Sequence, residues 1–156
     1  MTLFEAAEDP QAVTGPDICR MVVAYDGTDF RGFAAQRDQR TVAGVLGAAL
    51  TRVLRTEVDL ACAGRTDAGV HGWGQVISFD VPAEALERRG LDGLVRSCNG
   101  LMGPAIVVRD AEVVGDEFDA RFSALWRRYR YTVLNSETPR LPSSICSWRD
   151  SAGWLR

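Results

Sequence analysis

Apolar residues along the chain follow two spacings, one typical of strands and one typical of helices. The branched run ICRMVVAY at 18–25 predicts a buried strand. Thr41 has the character of a helix N-cap, and the apolar residues at three- and four-residue steps behind it predict an amphipathic helix over about 42–55. A short strand is predicted over 58–63, and the glycine-containing stretch at 63–74 is predicted to be a loop.

The same order of elements follows in the next part of the chain. The alternating segment QVISFDV at 75–81 predicts a strand. Pro82 lies where proline is tolerated, at the start of a helix predicted over 83–97 that ends before Asn-Gly. An apolar segment predicts a strand over 105–114, and the long alternating segment LWRRYRYTVL predicts a final strand over 125–134.

The predicted order is β-α-β-loop-β-α-β-β. Alternating strands and helices favour an α/β or α+β fold in which the helices pack on one face of a mixed sheet. The nearest common template is the split βαβ, ferredoxin-like arrangement. We interpret residues 18–135 as one domain, residues 1–17 as a disordered acidic leader and residues 136–156 as an irregular tail.

Composition places the chain among soluble globular proteins and away from membrane and metal proteins. The 156 residues are 46% hydrophobic and 25% charged, and no apolar run approaches the roughly 20 residues that span a bilayer. The N-terminal residues lack the basic and apolar regions of a signal peptide, so we expect a cytoplasmic protein. The four cysteines have no Cys-x-x-Cys spacing and the chain has one histidine, so we expect free thiols and no metal site.

Charge is distributed unevenly. The net charge is −3, yet residues 121–156 hold seven arginines and only two acids, Glu137 and Asp150. A basic stretch on a nearly neutral body is typical of a surface that binds a polyanion. All eighteen basic residues are arginine, which suits phosphate contact, although a coding bias toward arginine is the simpler explanation of the count.

The densest group of reactive side chains lies at 63–71, where AGRTDAGVH places Arg65, Asp67 and His71 among glycines. A positive charge nearby keeps a carboxylate ionised, and such a carboxylate can act as a nucleophile or base. An Asp between glycines is more often a turn former. His71 is a candidate base, but a loop side chain is the simpler interpretation. The residues alone leave these alternatives open.

A second candidate is the segment RRYRY at 127–131. On a strand, Arg127, Tyr129 and Tyr131 would share one face, with Arg128 and Arg130 on the other. Arginine and tyrosine on one face suit a phosphate and an unpaired base. An ordinary strand with one packed aromatic face fits the pattern equally well.

Three blocks in these segments together resemble the TruA-type tRNA pseudouridine synthases. They are GRTDAGVH at 64–71 followed by GQV at 74–76, YDGTDFRG at 25–32, and FDARFSA at 118–124 running into RRYRY. They occur in the order and spacing of that family, over about residues 18–135. The fold implied is one half of a pseudouridine synthase fold.

The resemblance implies an isomerase that converts uridine to pseudouridine in the anticodon stem-loop of tRNA, at tRNA positions 38–40. Asp67 matches the catalytic aspartate, Arg65 the arginine that pairs with it, and Tyr129 the tyrosine that stacks on an extruded uracil. We also predict that His71, Arg121 and Arg127 bind substrate. No cofactor or metal is implied, and the family forms homodimers that contact tRNA with both subunits.

Two departures from the family pattern affect the prediction. Phe33 stands where the family usually has tryptophan, which is a mild change. The match stops near Asn135, although the family carries a second α/β half that forms the other wall of the cleft. The alternative prediction is therefore a catalytically incomplete RNA-binding fragment. A third interpretation is an α/β domain in which Asp67 belongs to an ordinary turn.

Overall fold

A computed structural model describes residues 17–132 and 135, which form four strands and two helices. The elements are β1 Asp17–Tyr25, α1 Val42–Leu54, β2 Ala61–Cys62, β3 Gly72–Val81, α2 Ala83–Met102 and β4 Ile106–Val114. Residues 1–16 of the predicted leader and the predicted tail over 136–156 lie outside the described residues, whereas residue 17, also assigned to the leader, is the first residue of β1. None of the described helices combines the length and apolar character that a membrane crossing requires.

The four strands form one sheet in the order β2-β3-β1-β4. Each hydrogen-bonded pair in this order is antiparallel, so the expectation of a mixed sheet was wrong. The reason is topological: β1 and β2 run in the same direction but β3 lies between them, and β1 in turn separates β3 from β4. Two split βαβ units interlock in this way, which confirms the predicted ferredoxin-like arrangement.

Both helices cover the same face of the sheet, as predicted. Alternate residues of a strand point to opposite faces, and the inward-pointing set of the central strands is fully buried. The buried cluster combines these strand residues with residues of both helices: Cys19, Met21, Val23, Leu46, Leu50, Ile77, Phe79, Leu94 and Cys98.

The first helix begins and ends as the sequence predicts. Thr41 Oγ1 accepts a hydrogen bond from the amide of Gly44 at 3.2 Å, which satisfies a donor in the first turn. Arg55 has φ of 61°, a left-handed conformation, and its N–H donates to Thr51 O. The helix therefore ends at Leu54.

The second helix extends five residues past its predicted end, to Met102. Asn99 was interpreted as a terminator, but its side chain bonds to β4 instead. Its Oδ1 accepts from the amide of Val108 at 2.7 Å, and its Nδ2 donates to Val108 O at 3.0 Å. Gly90, with φ of 64° and ψ of 168°, interrupts the helix in its middle, which the periodicity did not predict.

Three strand predictions need correction. The strand predicted over 75–81 begins three residues earlier, at Gly72, within the stretch predicted to be a loop. The strand predicted over 58–63 is reduced to Ala61–Cys62, the part that pairs with Ser78 and Ile77. The strand predicted over 125–134 is wrong for residues 125–132, and residues 133 and 134 lie outside the described part. Its alternating side chains are exposed, and no neighbouring strand among the described residues offers it a backbone ladder.

Candidate active site

The loop that connects β2 to β3, residues 63–71, is called the signature loop below. It lies at the end of the sheet where β1 finishes and β3 begins. The segment between β1 and α1 packs against it through backbone hydrogen bonds. The amide of Phe33 donates to Thr66 O at 2.9 Å, and the amide of Gly69 donates to Phe30 O at 3.2 Å. The loop is thus held by a second loop as well as by its own strands.

Tyr25, the last residue of β1, anchors the centre of the signature loop. Its side chain is buried, and its hydroxyl oxygen lies 2.8 Å from Thr66 Oγ1. Burial raises the pKa of Tyr25, while the Thr66 hydrogen bond acts in the opposite direction. The phenol is therefore protonated at neutral pH and able to donate to Thr66.

Close approach of the two loops requires a residue without a side chain at Gly27. A Cβ placed there would collide with the backbone carbonyl of Val70. On the other side of the contact, the amide of Val70 donates to Asp67 O at 3.2 Å and closes a turn in which Gly69 has φ of 79°. A positive φ at this position is readily adopted by glycine.

Asp67 occupies the first position of that turn, and its side chain is exposed. Its carboxylate can therefore approach a ligand that lies over the loop. No ion pair joins Asp67 to Arg65 among the described residues, so the pairing implied by the resemblance is not made in this structure. Arg65 is exposed as well.

Three arginines converge on the start of the signature loop, around the half-buried thiol of Cys62. Burial raises the pKa of Cys62, and the charges of Arg65, Arg121 and Arg127 act to lower it. Arg127 Nε also donates a hydrogen bond to Ala63 O. Arg127 Nη2 donates to Arg121 O at 3.4 Å as well, so the positive charge of these arginines acts at the start of the loop.

Tyr129 reaches the same place. Its hydroxyl lies 3.7 Å from where a Cβ on Gly64 would stand, and the Arg127 side chain lies 3.1 Å from that point. The structure thus brings Arg65, Arg127 and Tyr129 together at the loop although residues 125–132 form no strand. Tyr129 is 61% exposed, which leaves its ring available for stacking.

Arg121 is positioned by a turn that is bonded to the sheet. The carboxylate of Asp119 accepts from the amides of Arg121 at 2.7 Å and Phe122 at 3.0 Å. The amide of Ala120 donates to the buried Ser78 Oγ at 2.9 Å, which fixes the turn to β3.

His71 lies at the opposite end of the signature loop from the arginines. Its Nδ1 lies 3.1 Å from Asp26 Oδ1 and 3.3 Å from the amide nitrogen of Gly27. The hydroxyl and amide of Thr28 donate to Asp26 Oδ1 and lower the pKa of that carboxyl. These contacts make His71 part of the junction between the two loops.

Sequence reasoning missed the residues that position the loop. Tyr25 and Asp26 were noted only as part of a family-like block, and Ser78 was noted only as a strand residue. Gln75, whose side-chain amide donates to Gly64 O, belonged to the family-like GQV segment. Tyr25, Asp26 and Gln75 could have been found because they lie in segments that resemble the family. Nothing in the sequence pointed to Ser78.

Comparison with known proteins finds a family whose sequence model covers the signature loop. The sequence model of the family described as tRNA pseudouridine synthase matches residues 21–123. The chain is 47% identical to tRNA pseudouridine synthase A of Corynebacterium glutamicum, over 86% of this chain and 48% of that protein. It is 44% identical to the protein of the same name from Alcanivorax borkumensis, over 85% of this chain and 53% of the relative.

A third relative, tRNA pseudouridine synthase A of Leifsonia xyli, is 45% identical over 79% of this chain and 48% of its own length. The chain therefore spans about half the length of the curated relatives it matches. The blocks at 25–32 and 64–76 lie within the matched residues 21–123, and the third block begins within them at 118, while RRYRY at 127–131 lies beyond them.

Proposed function

The chain belongs to the tRNA pseudouridine synthase family, and on that premise we propose that it converts uridine to pseudouridine in the anticodon stem-loop of tRNA, with Asp67 as the nucleophile. The observation that carries the proposal is the signature loop itself. It presents an accessible carboxylate at Asp67, and it has three arginines and Tyr129 at one end.

The reaction needs no group beyond a nucleophile and a proton carrier. Uridine and pseudouridine are isomers, so the bond between N1 of uracil and C1′ of ribose breaks and a bond between C5 and C1′ forms. C5 loses one proton and N1 gains one. No atom is added and nothing is oxidised or reduced, which is why the proposal includes no cofactor.

Asp67 is proposed to attack C1′ as the bond to N1 breaks, forming a sugar–carboxylate ester. The detached uracil rotates, and its C5 attacks C1′ and expels the carboxylate. Covalent catalysis of this kind divides one difficult exchange into two steps. The exposed position of Asp67 at the turn supports the assignment, because a nucleophile must approach the sugar directly.

The arginines and Tyr129 are proposed to hold the RNA. A base within a helix hides its sugar, so the target nucleotide must leave the stack. Tyr129 would stack on the extruded uracil. Arg65, Arg121 and Arg127 would contact phosphates on either side, as guanidinium groups suit phosphate oxygens.

A second candidate function is RNA binding without turnover. It is favoured by the solvent-exposed carboxylate of Asp67, which has no ion pair with Arg65 in the described part of the chain. Electrostatic interactions are weaker in a site that admits water. The arginines and Tyr129 would still bind RNA in this case.

We also propose that the protein acts in the cytoplasm and as a homodimer. The free thiols of Cys19, Cys62 and Cys98 support a reducing compartment. Phe122, 80% exposed, and Leu125, 95% exposed, offer apolar surface that a second subunit could cover.

The test is release of tritium from tRNA labelled at C5 of uracil. We expect release by this chain and no detectable release by Asp67→Asn, which should still bind tRNA within about tenfold, or ~1.4 kcal/mol. Asp92→Asn is the matched control, an exposed acid on α2, and it should release tritium normally.

Three outcomes would change the proposal. Release by Asp67→Asn at the normal rate would refute the nucleophile assignment. Absence of release from every variant, with tRNA still bound, would favour the second candidate function. Loss of tRNA binding in Asp67→Asn alone would indicate that the carboxylate supports RNA binding instead of chemistry.

A further inference from the structure

Residues 31–40, between β1 and α1, form a surface loop whose two ends are bonded to each other. The amide of Arg31 donates to Arg40 O at 2.9 Å, and just beyond the loop's end the amide of Ala43 donates to Phe33 O at 2.8 Å. A compact loop of about 6–16 residues with its ends in contact is an Ω-loop, a type that is frequently functional. Residues 31–40 are called the arginine loop below.

Hydrogen bonds inside the arginine loop fix its conformation. The side-chain amide of Gln36 donates to Arg31 O at 3.2 Å. The amide of Gln39 donates to Gln36 O at 3.4 Å and closes a turn at the tip, with Arg37 and Asp38 in its middle. Asp38 has φ of 60°, a conformation that aspartate adopts more readily than most residues. A loop that is ordered beforehand has less conformational entropy to lose when it binds a ligand.

The start of the arginine loop lies directly against the backbone of Asp67. A Cβ placed on Gly32, where φ is 96°, would stand 3.1 Å from Thr66 O and 3.6 Å from the carbonyl carbon of Asp67. On the far side of Asp67, the amide of Gly69 donates to Phe30 O at 3.2 Å. The arginine loop is therefore attached to the signature loop both before and after the proposed nucleophile.

The guanidinium of Arg40 has a defined position beside this attachment. Its Cζ lies 4.7 Å from the centroid of the Phe30 ring, within the range of a cation–π contact. The Phe30 ring is buried, whereas Arg40 is exposed, so the ring supports the guanidinium from below and leaves it accessible. Because Phe30 O is bonded to Gly69, this positive charge lies beside the turn that Asp67 begins.

The positive charge of the arginine loop is not neutralised within the described part of the chain. Its three arginines are all exposed: Arg31, Arg37 and Arg40. Asp38 is the one acid of the loop, so its net charge is 3 − 1 = +2. None of the three arginines forms an ion pair with a described carboxylate, in contrast to Arg20, which is paired with Asp110 and Glu112. An exposed group of unneutralised arginines suits a polyanion.

We propose that the arginine loop is a second phosphate-binding surface for the RNA, in which Arg31 and Arg40 contact the backbone beside the target nucleotide and Arg37 contacts it farther away. The identity of the RNA rests on the proposed function. Guanidinium groups suit phosphate oxygens, and those of the first surface act at the start of the signature loop. The RNA would thus meet positive charge at two separate places around Asp67.

The salt dependence of tRNA affinity tests the second surface. Between about 50 mM and about 200 mM salt, Arg31→Ala and Arg40→Ala should each lower the slope of log affinity against log salt concentration by about one. Each should also bind tRNA about threefold to tenfold more weakly at the low end of this range. Arg96→Ala is the matched control, an exposed arginine on α2, and it should leave both quantities unchanged.

Two further variants separate the charge of Arg40 from its packing on Phe30. Arg40→Met keeps an unbranched apolar side chain over the ring but removes the charge, so it should bind tRNA as weakly as Arg40→Ala while its thermal unfolding stays close to that of wild type. Arg40→Lys keeps the charge and should retain the wild-type salt slope. Wild-type affinity in Arg40→Met, or a slope in Arg40→Lys as low as that of Arg40→Ala, would overturn the phosphate contact.

The outcomes distinguish this inference from the proposed function. Wild-type slopes in Arg31→Ala and Arg40→Ala, with a reduced slope in Arg127→Ala, would overturn the second surface and leave the synthase proposal intact. Reduced slopes in the first two variants, with no tritium release by wild type, would support the surface and refute turnover by this chain. Absence of tRNA binding by wild type would refute both proposals.

Discussion

The hydroxyl oxygen of Tyr25 lies 2.8 Å from Thr66 Oγ1, so the last residue of β1 is bonded to the residue that precedes Asp67. The carbonyl of Thr66 is held independently by the amide of Phe33 at 2.9 Å. The position of Asp67 is therefore set by the end of a central strand and by the segment before α1, as well as by its own loop.

Removing the Tyr25 hydroxyl should reduce catalysis more than RNA binding. Tyr25→Phe keeps the buried ring but leaves Thr66 Oγ1 without its partner, which we expect to cost about 1–3 kcal/mol of stability. Tritium release should fall about tenfold, and tRNA affinity should stay within about twofold. Tyr131→Phe is the control, since Tyr131 is 90% exposed. An unchanged rate in Tyr25→Phe would show that Asp67 does not depend on this bond.

Salt dependence tests the arginine surface. Each phosphate contact contributes about one unit to the slope of log affinity against log salt concentration. Arg121→Ala and Arg127→Ala should each weaken tRNA binding and lower this slope by about one. Arg52→Ala is the matched control. The start of α1 lies beside the signature loop, whereas Arg52 lies in the last turn of α1 and is therefore at the end of the helix away from the loop. Equal slopes in all three variants would contradict a phosphate surface at the loop.

Alkaline pH should destabilise the domain through a buried thiol. Burial raises the pKa of Cys19 from its ordinary value of 9.0 to about 12. A group whose pKa is higher in the folded state loses its stabilising contribution as pH rises above the unfolded value. The free energy of unfolding should therefore fall above about pH 9, by up to about 1.4 kcal/mol per pH unit from this thiol. Urea unfolding of wild type and Cys19→Ala between about pH 8 and about pH 11 measures this, and equal slopes would refute it.

Glycine substitutions should have opposite effects at two positions. In Gly27→Ala the new methyl group meets the backbone of Val70, so the loops must separate. We expect a loss of about 1–3 kcal/mol and a lower rate of tritium release. Gly100→Ala lies in α2 with open space around it and should be neutral or stabilising by up to about 1 kcal/mol. Thermal unfolding of both variants tests the pair, and similar behaviour would contradict the close packing at Gly27.

Local patterns were sufficient where one element determines its own boundaries. Thr41 caps the start of α1, directly before the predicted first residue, and the left-handed Arg55 ends it at the predicted last residue. Local patterns were insufficient where a residue far away in the chain determines whether a helix or strand forms or continues. The helix α2 continues through Asn99 because the side-chain amide of Asn99 hydrogen-bonds to the backbone of Val108 in β4. Residues 125–132 form no strand because an alternating pattern also needs a neighbouring strand with which to make backbone hydrogen bonds.

The same distinction applies to the site. The signature loop could be located from its residues, because Arg65, Asp67 and His71 lie within nine residues of sequence. The bond from Tyr25 and the contact with Asp26 could not be derived from local spacing, since both cross between loops. The roles of Asp67, Arg65, Tyr129, His71, Arg121 and Arg127 remain predictions, and the tritium-release and salt-dependence experiments test those of Asp67, Arg121 and Arg127.

The contacts around the signature loop join residues that are far apart in the chain. The separations are 41 residues for Tyr25 and Thr66, 44 for Gly27 and His71, and 64 for Ala63 and Arg127. Closing such long loops has an entropic cost that is recovered only when the sheet is paired, and contacts of high sequence separation slow folding. The geometry around Asp67 should therefore appear in the last, cooperative step of folding, together with the pairing of β1 and β3, while α1 can begin to form before it.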